Sequence, residues 1–143
     1  MPSDLTLKAI NAVHRTLLRV SGGRLGSRAA GMPVLELVTT GRRSGARRAV
    51  MLTSPMRDGE AYVVVASRGG DDRHPAWLLN VRDEPRVEVA VGGGPRLPML
   101  ASVATADERL RLWPQVTASF PHYEGYQERT QREIPLVLLR PAS

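Results

Sequence analysis

The sequence predicts a small α+β barrel, and three observations predict it. About six short strand patterns are separated by turn signals, only a few helical patterns interrupt them, and the regular strand–helix alternation of a parallel sheet with crossovers is missing. The chain has 143 residues and is 42% hydrophobic, the size of one ordinary domain able to bury a core. No repeat or low-complexity linker divides it, so residues 1–143 are expected to form a single domain.

In order along the chain, residues 4–20 read as an amphipathic helix, with Ile10, Val13, Leu17 and Val20 on one side and Lys8, Arg15 and Arg19 on another. Such a helix can dock on the body of the protein or lie on a lipid surface. Ser21-Gly22-Gly23 ends it, and a basic, glycine-rich connector runs to Gly31. Residues 34–40 are β-branched and alternating, residues 50–56 form a second run, and Asp58-Gly59 is a hairpin signal before a third run at 62–65. These read as three antiparallel strands. Pro75 suits the first turn of a short helix reaching about Val81. Val87, Val89 and Val91 alternate with Arg86, Glu88 and Ala90, Gly92-Gly93-Gly94-Pro95 turns the chain, and residues 97–103 return. Residues 107–119 are expected to be a helix with Leu110, Trp113 and Val116 on its apolar face, followed by a short helix over 123–131. The last strand, 136–139, is apolar throughout and therefore expected at the centre of the sheet.

Composition narrows the chemistry. Cysteine is absent, which excludes disulfides, thiolate nucleophiles and cysteine-ligated zinc, and His14, His74 and His122 fall at no metal-site spacing. No metal is expected. Twenty Lys and Arg against fourteen Asp and Glu give a net charge of +6, and Lys8 is the only lysine. Guanidinium grips phosphate and carboxylate in a two-pronged fork, so the balance points to a polyanionic ligand or surface. Apolar runs are too short to span a bilayer and the amino terminus does not resemble a signal peptide, which leads to the expectation of a soluble cytoplasmic protein.

Three constellations could carry function. Thr39-Thr40-Gly41-Arg42-Arg43-Ser44-Gly45, followed by Arg47-Arg48, puts four arginines around a tight turn where glycines let backbone N–H groups converge on an anion. A merely solvated arginine-rich tip has the same composition. It is not a P-loop, because the lysine and its spacing are missing. Ser67, Arg68, Gly69 and Gly70, with Pro75, Trp77 and Asn80 closing over them, could hold a flat ring by backbone contact. Equally, Trp77 and Leu78 could be core, the glycines a turn and His74 a surface residue. Phe120, Tyr123 and Tyr126 recur every third residue and make up half of a set of only one Phe, two Trp and three Tyr. They could be core or the wall of a pocket.

No catalytic device stands out beside these. Ser44 is not in a Gly-x-Ser-x-Gly elbow, no carboxylate pair is isolated from the charged background, and Gly92-Gly93-Gly94 does not continue as a dinucleotide fingerprint. An enzyme built this way would leave the hard chemistry to a cofactor.

Taken in order, the arginine turn with Arg48, the valine run into Ser67-Arg68-Gly69-Gly70, His74-Pro75-Ala76-Trp77-Leu78-Leu79-Asn80, Leu112-Trp113-Pro114, and Pro121 to Tyr126 closing with Arg132-Glu133-Ile134-Pro135 resemble the deazaflavin-dependent nitroreductase family of actinobacteria. The likeness runs from about Val34 to Pro141. It implies a split β-barrel that binds the 8-hydroxy-5-deazaflavin coenzyme F420 and passes its hydride to quinones, nitroaromatics or activated enones. By position it implies that Arg42, Arg43 and Arg48, with Ser44 of the same turn, hold the cofactor's phosphate and acidic tail. Ser67, Arg68, Gly69, Gly70, Pro75, Trp77 and Asn80 would line the ring. Phe120, Tyr123 and Tyr126 would face the substrate, with Ser67 near the transferred hydride and the Tyr123 hydroxyl able to donate as charge builds on the acceptor oxygen. Arg68 stands where many relatives carry lysine, Phe120 where the nitroimidazole-activating member carries tyrosine, and the first thirty residues match poorly.

Other readings start from the same residues. A nucleic-acid-binding small barrel would suit the charge, but the aromatics lie apart from the arginines in sequence, unlike a stacking platform, so no nucleic acid is expected. An FMN-binding protein of the same barrel type would fit the ring site. Peripheral membrane contact through residues 4–20 is compatible with a small-molecule quinone acceptor, and the oligomeric state is left open.

Overall fold

Strand pairing builds one antiparallel sheet that curls into a half-barrel, with three α-helices against it. The computed structural model describes residues 28–29 and 31–142, so the helix expected over residues 4–20 lies outside the described residues. The strands are β1 (Arg28–Ala29), β2 (Met32–Thr40), β3 (Arg47–Thr53), β4 (Met56–Asp58), β5 (Ala61–Val65), β6 (Arg86–Val91), β7 (Leu97–Val103) and β8 (Leu136–Pro141). The helices are α1 (Ala76–Asp83), α2 (Ala106–Ser119) and α3 (His122–Glu128). The order across the sheet is β1-β2-β6-β7-β8-β5-β4, with β3 paired on β2. Leu35 of β2 faces Leu52 of β3 on one edge and Val91 of β6 on the other, so β2 lies between them.

The expected run over 50–56 divides at Ser54-Pro55, which separates β3 from β4. Proline has no N–H to give to a ladder, and the chain turns there. The Ser54 hydroxyl lies 2.7 Å from the Val63 carbonyl and 3.0 Å from the Met56 carbonyl, pinning the corner to β5. The Asp58-Gly59 hairpin forms as expected, with Gly59 at φ +60° and Asp58 opposite Ala61.

Both faces of the sheet are covered, which explains the unbroken apolar β8. Val137 and Leu139 point to one face, where Leu35, Leu37, Val64, Val87, Val89, Met99 and Ala101 pack against Trp77, Leu78 and Val81 of α1. Leu136 and Leu138 point to the other, where Val63 and Val65 meet Leu112 and Val116 of α2, Tyr123 of α3, and Ile134. β8 lies between β7 and β5, the interior place its composition predicts.

Helix α2 opens with a capping box between Thr105 and Glu108. Its buried residues are Leu112 and Val116, while Leu110 is 77% exposed and Arg109 stacks 4.3 Å over Trp113. Of the expected Leu110–Trp113–Val116 face, Val116 is buried and Trp113 packs against the core, and Leu110 is the incorrect member. A spacing of three falls short of a full turn at each step, so Leu110 ends far round the helix from Val116, whereas a spacing of four keeps Leu112 on its face. Helix α3 stops at Glu128 rather than 131, because the chain folds back and the Gln127 side chain accepts from the Ile134 N–H and donates to the Arg132 carbonyl.

These packings separate two leucines. Leu139→Ala, at a fully buried site, is expected to cost about 2–5 kcal/mol in urea unfolding. Leu110→Lys should stay within about 0.5 kcal/mol of the parent.

Candidate cofactor and active site

The turn between β2 and β3 is closed from inside. Gly41 N–H donates to the Ala46 carbonyl at 2.7 Å, Gly45 N–H to the Gly41 carbonyl at 2.8 Å, and the Ser44 hydroxyl accepts from Ala46 N–H at 3.1 Å. Gly45 sits at φ +72°, a left-handed position. Ser44 therefore shapes the turn. Of its four arginines, Arg47 is neutralised by Glu88 at 2.6 Å and also reaches Thr40. Arg42, Arg43 and Arg48 are exposed, and their guanidiniums have no acidic partner among the described residues.

One buried amide joins this turn to α1. Asn80, 7% exposed, accepts from the Arg42 N–H at 3.1 Å and donates to the Thr39 hydroxyl at 3.0 Å. Arg42, Leu79, Arg82 and Asp83 line a shallow concavity of about 340 Å³ along the same junction. Asn80, expected to touch a ring, here fastens the turn.

After β5 the chain makes a strained corner. Arg68, Gly69 and Gly70 have φ of +47°, +64° and +85°, three consecutive left-handed residues of which one is not glycine. Arg68 pairs with Asp71, so its charge is answered within the loop. Gly70 N–H donates to the Ser67 carbonyl at 2.9 Å. A Cβ at Gly70 would fall 2.8 Å from the Tyr126 carbonyl oxygen and 3.1 Å from Arg129, so this glycine serves a close approach of α3. Ser67 itself is 8% exposed, and its hydroxyl has no hydrogen bond among the described residues. A buried hydroxyl without a partner is costly, and a ligand atom would satisfy it.

Sequence reasoning quoted Arg132 but gave it no task. Its guanidinium donates to the carbonyls of Ala66, Ser67 and Asp71 at 3.2, 2.8 and 2.8 Å, and to the His74 ring at 3.0 Å. Carbonyl partners leave no trace in composition; the only available signal was the Arg132-Glu133-Ile134-Pro135 string itself. Burial holds the His74 imidazole below its ordinary pKa, and the charges of Arg132 and Arg82 act in the same direction.

The remaining expected residues divide between core and surface. Pro75 is buried at the start of α1 and Trp77 is 7% exposed within the core, the packing role the sequence left open for it. Tyr123 is 5% exposed, with its hydroxyl 3.3 Å from the Thr53 hydroxyl and donating to the Met32 sulfur at 3.4 Å. Burial raises its phenol pKa, with the Thr53 hydrogen bond opposing. Tyr126 stands edge-on to Tyr123 with centroids 6.0 Å apart, and both Tyr126 and Phe120 are half-buried. A continuous series of contacts thus runs from the arginine turn through Asn80 and α1 to His74, Arg132 and Ser67, and through Gly70 to α3.

A curled antiparallel sheet of this kind is a known class. The chain shares the fold of a general stress protein 26-related protein of the pyridoxinephosphate oxidase family from Clostridium acetobutylicum, with a TM-score of 0.51 at 9% identity over 90% of this chain and 84% of that one. A solved F420-H2 dependent reductase matches with a TM-score of 0.65 at 37% identity, covering 76% of this chain and 94% of its own. An F420H(2)-dependent quinone reductase of Mycobacterium tuberculosis H37Rv is 40% identical over 130 residues, 89% of this chain and 87% of that protein. The family described as F420H(2)-dependent quinone reductase matches residues 11–141, and the chain belongs to it.

Two measurements check the site's construction. Gly70→Ala introduces both a left-handed alanine and a clash with α3 backbone, and is expected to lower stability by more than about 1 kcal/mol. For His74, the native pKa lies below the unfolded value near 6.5, so the unfolded state takes up the proton first. Its share of stability is present above that pH and is lost as pH falls through the native pKa. Thermal midpoints of wild type and His74→Asn should converge as the pH is lowered through this window.

Proposed function

We propose that this chain reduces quinones with coenzyme F420, holding the cofactor's phosphate and acidic tail on Arg42, Arg43 and Arg48 and its ring beside Ser67. One observation carries the assignment of the anion: three exposed guanidiniums without acidic partners among the described residues sit on a turn that a buried amide has already fixed to α1. An arginine turn of this kind attracts a polyanion at long range and binds it through charge-assisted hydrogen bonds at close range. The unpartnered Ser67 hydroxyl fits a polar edge of the ring.

When bound, the reduced deazaflavin supplies the hydride. The chain's own residues then need to align two flat molecules, exclude water and manage one proton, which is why no acid–base triad is required. Ser67 positions the donor side, and Tyr126 and Phe120, half exposed, offer apolar faces to the acceptor. The raised pKa of Tyr123 keeps its phenol protonated. Its present acceptor is a thioether sulfur, a weak one, so an acceptor oxygen that accumulates negative charge competes for that proton on favourable terms. Nitroaromatics and activated enones present the same kind of oxygen and are expected as further acceptors.

Titrating the purified protein into the cofactor and following its fluorescence tests the anion site. Arg48→Ala should weaken binding about tenfold, the loss of roughly 1.5 kcal/mol of charge-assisted hydrogen bonding. Added salt should narrow the difference between the two proteins. Equal affinity in Arg48→Ala and wild type at low salt would place the anion elsewhere.

A further inference from the structure

We infer that Arg132 is the positioning residue of the Ser67 corner and that the neutral His74 ring completes its clamp. The inference rests on the reading that Ser67 borders the reacting ring.

The corner does not hold itself. Arg68 at φ +47° is followed by two more left-handed residues, and a non-glycine residue in that region stays there only when its surroundings compel it. Local bonds from Gly70 N–H to the Ser67 carbonyl and from Asp71 N–H to the Arg68 carbonyl tighten the turn, and its far side rests on α3 through Gly70 and one long bond, 3.4 Å, from Arg129 to the Gly69 carbonyl. Arg132 supplies the attachment on the Ser67 side. Standing in the segment before β8, it reaches across to the Ala66 and Ser67 carbonyls on one side of the corner, and to the Asp71 carbonyl and the His74 ring on the other. Four acceptors on one planar, five-donor group define both where the corner lies and how it is turned. A lysine in its place is a single point charge and cannot span them.

The His74 contact sets a protonation state. Arginine can only donate, so the ring nitrogen Nδ1 must accept, and the proton of the neutral ring belongs to Nε2. Protonating Nδ1 removes the acceptor and sets imidazolium against guanidinium. The charged groups around this pair are Arg132 from the segment before β8, Arg82 from α1, Arg68, Asp71, Asp72 and Arg73 from the loop, and Glu128 and Arg129 at the end of α3. Asp71 and Asp72 act on Arg132, while His74 is held down by burial and by the charges of Arg132 and Arg82. Acid therefore opens the clamp at His74.

The test uses the full chain with reduced F420 and menadione, measuring turnover, cofactor affinity by fluorescence and thermal midpoint. Arg132→Lys should lower kcat roughly 10- to 100-fold while cofactor affinity, held by the arginine turn, is retained. Wild-type kcat in Arg132→Lys overturns the inference, as does a loss confined to the thermal midpoint. His74→Asn keeps an acceptor near the position of Nδ1 but does not titrate, so the ratio of its turnover to wild type should rise as pH falls through the ordinary histidine range. Parallel pH profiles would overturn the role of His74 even if the lysine variant failed to fold. Absence of turnover and of binding in the wild type would instead defeat the reductase reading itself.

Discussion

The Asn80 side chain is the constraint on which the rest of the site depends. A buried carboxamide must find partners for both halves, because an unsatisfied polar group in such a place costs about 1–3 kcal/mol. Here the oxygen takes the Arg42 N–H and the nitrogen gives to Thr39, so the helix and the turn cannot move apart without orphaning both. Helix α1 is itself anchored by Trp77, Leu78 and Val81 in the core. Rigidity passes from core to helix, from helix to amide, and from amide to turn. The guanidiniums are not consumed in this chain of support, which leaves a preorganised cationic surface whose binding energy is not spent on ordering the loop.

The charge of the protein divides along the same lines. Arg47 with Glu88, Arg96 with Glu36, Arg111 with Asp58 and Arg140 with Glu108 are ordinary surface pairs. Arg109 and Arg132 are partly buried and serve carbonyls, Arg109 donating to Ile134 and Arg132 to the Ser67 corner. Arg42, Arg43 and Arg48 gather three exposed guanidiniums without an acidic partner among the described residues on one turn, with Arg82 of α1 beside them, while Arg28, Arg57 and Arg129 stand singly elsewhere. A bare charge of +6 could not distinguish a nucleic-acid surface from a small anionic site. The distribution adds that one tight turn carries three exposed arginines while the neighbouring Arg47 is already paired.

Much of this was legible in the sequence where a residue's partner is implied by periodicity. Alternation identified β6, the glycine run gave away the turn that returns the chain as β7, and the apolar β8 announced its two-sided burial. Reading failed where the decisive partner lies far along the chain or is backbone. Ser54-Pro55 looked like the interior of a strand, although proline's missing N–H was sufficient reason to end it. The need for glycine at position 70 is set by a carbonyl of α3, which no local pattern reports. Arg132 was invisible for the same reason: its partners are three carbonyls and one ring nitrogen, and only its place in a family string drew the eye.

Strand β3 shows how the fold sets distances for chemistry. It begins at Arg47 and Arg48 in the cationic turn and ends at Thr53, whose hydroxyl meets Tyr123. Five residue steps from Arg48 to Thr53 at about 3.4 Å each separate the two ends by roughly 17 Å. A full ladder to β2, from Val34 opposite Thr53 to Thr40 opposite Arg47, keeps that strand straight and in register. Slipping it by one residue would turn Arg48 to the wrong face and withdraw Thr53 from the phenol together. The cationic end and the aromatic end are therefore held at a separation fixed by backbone geometry rather than by side-chain conformers, and Arg48 and Thr53, an odd number of residues apart, stand on opposite faces of the strand.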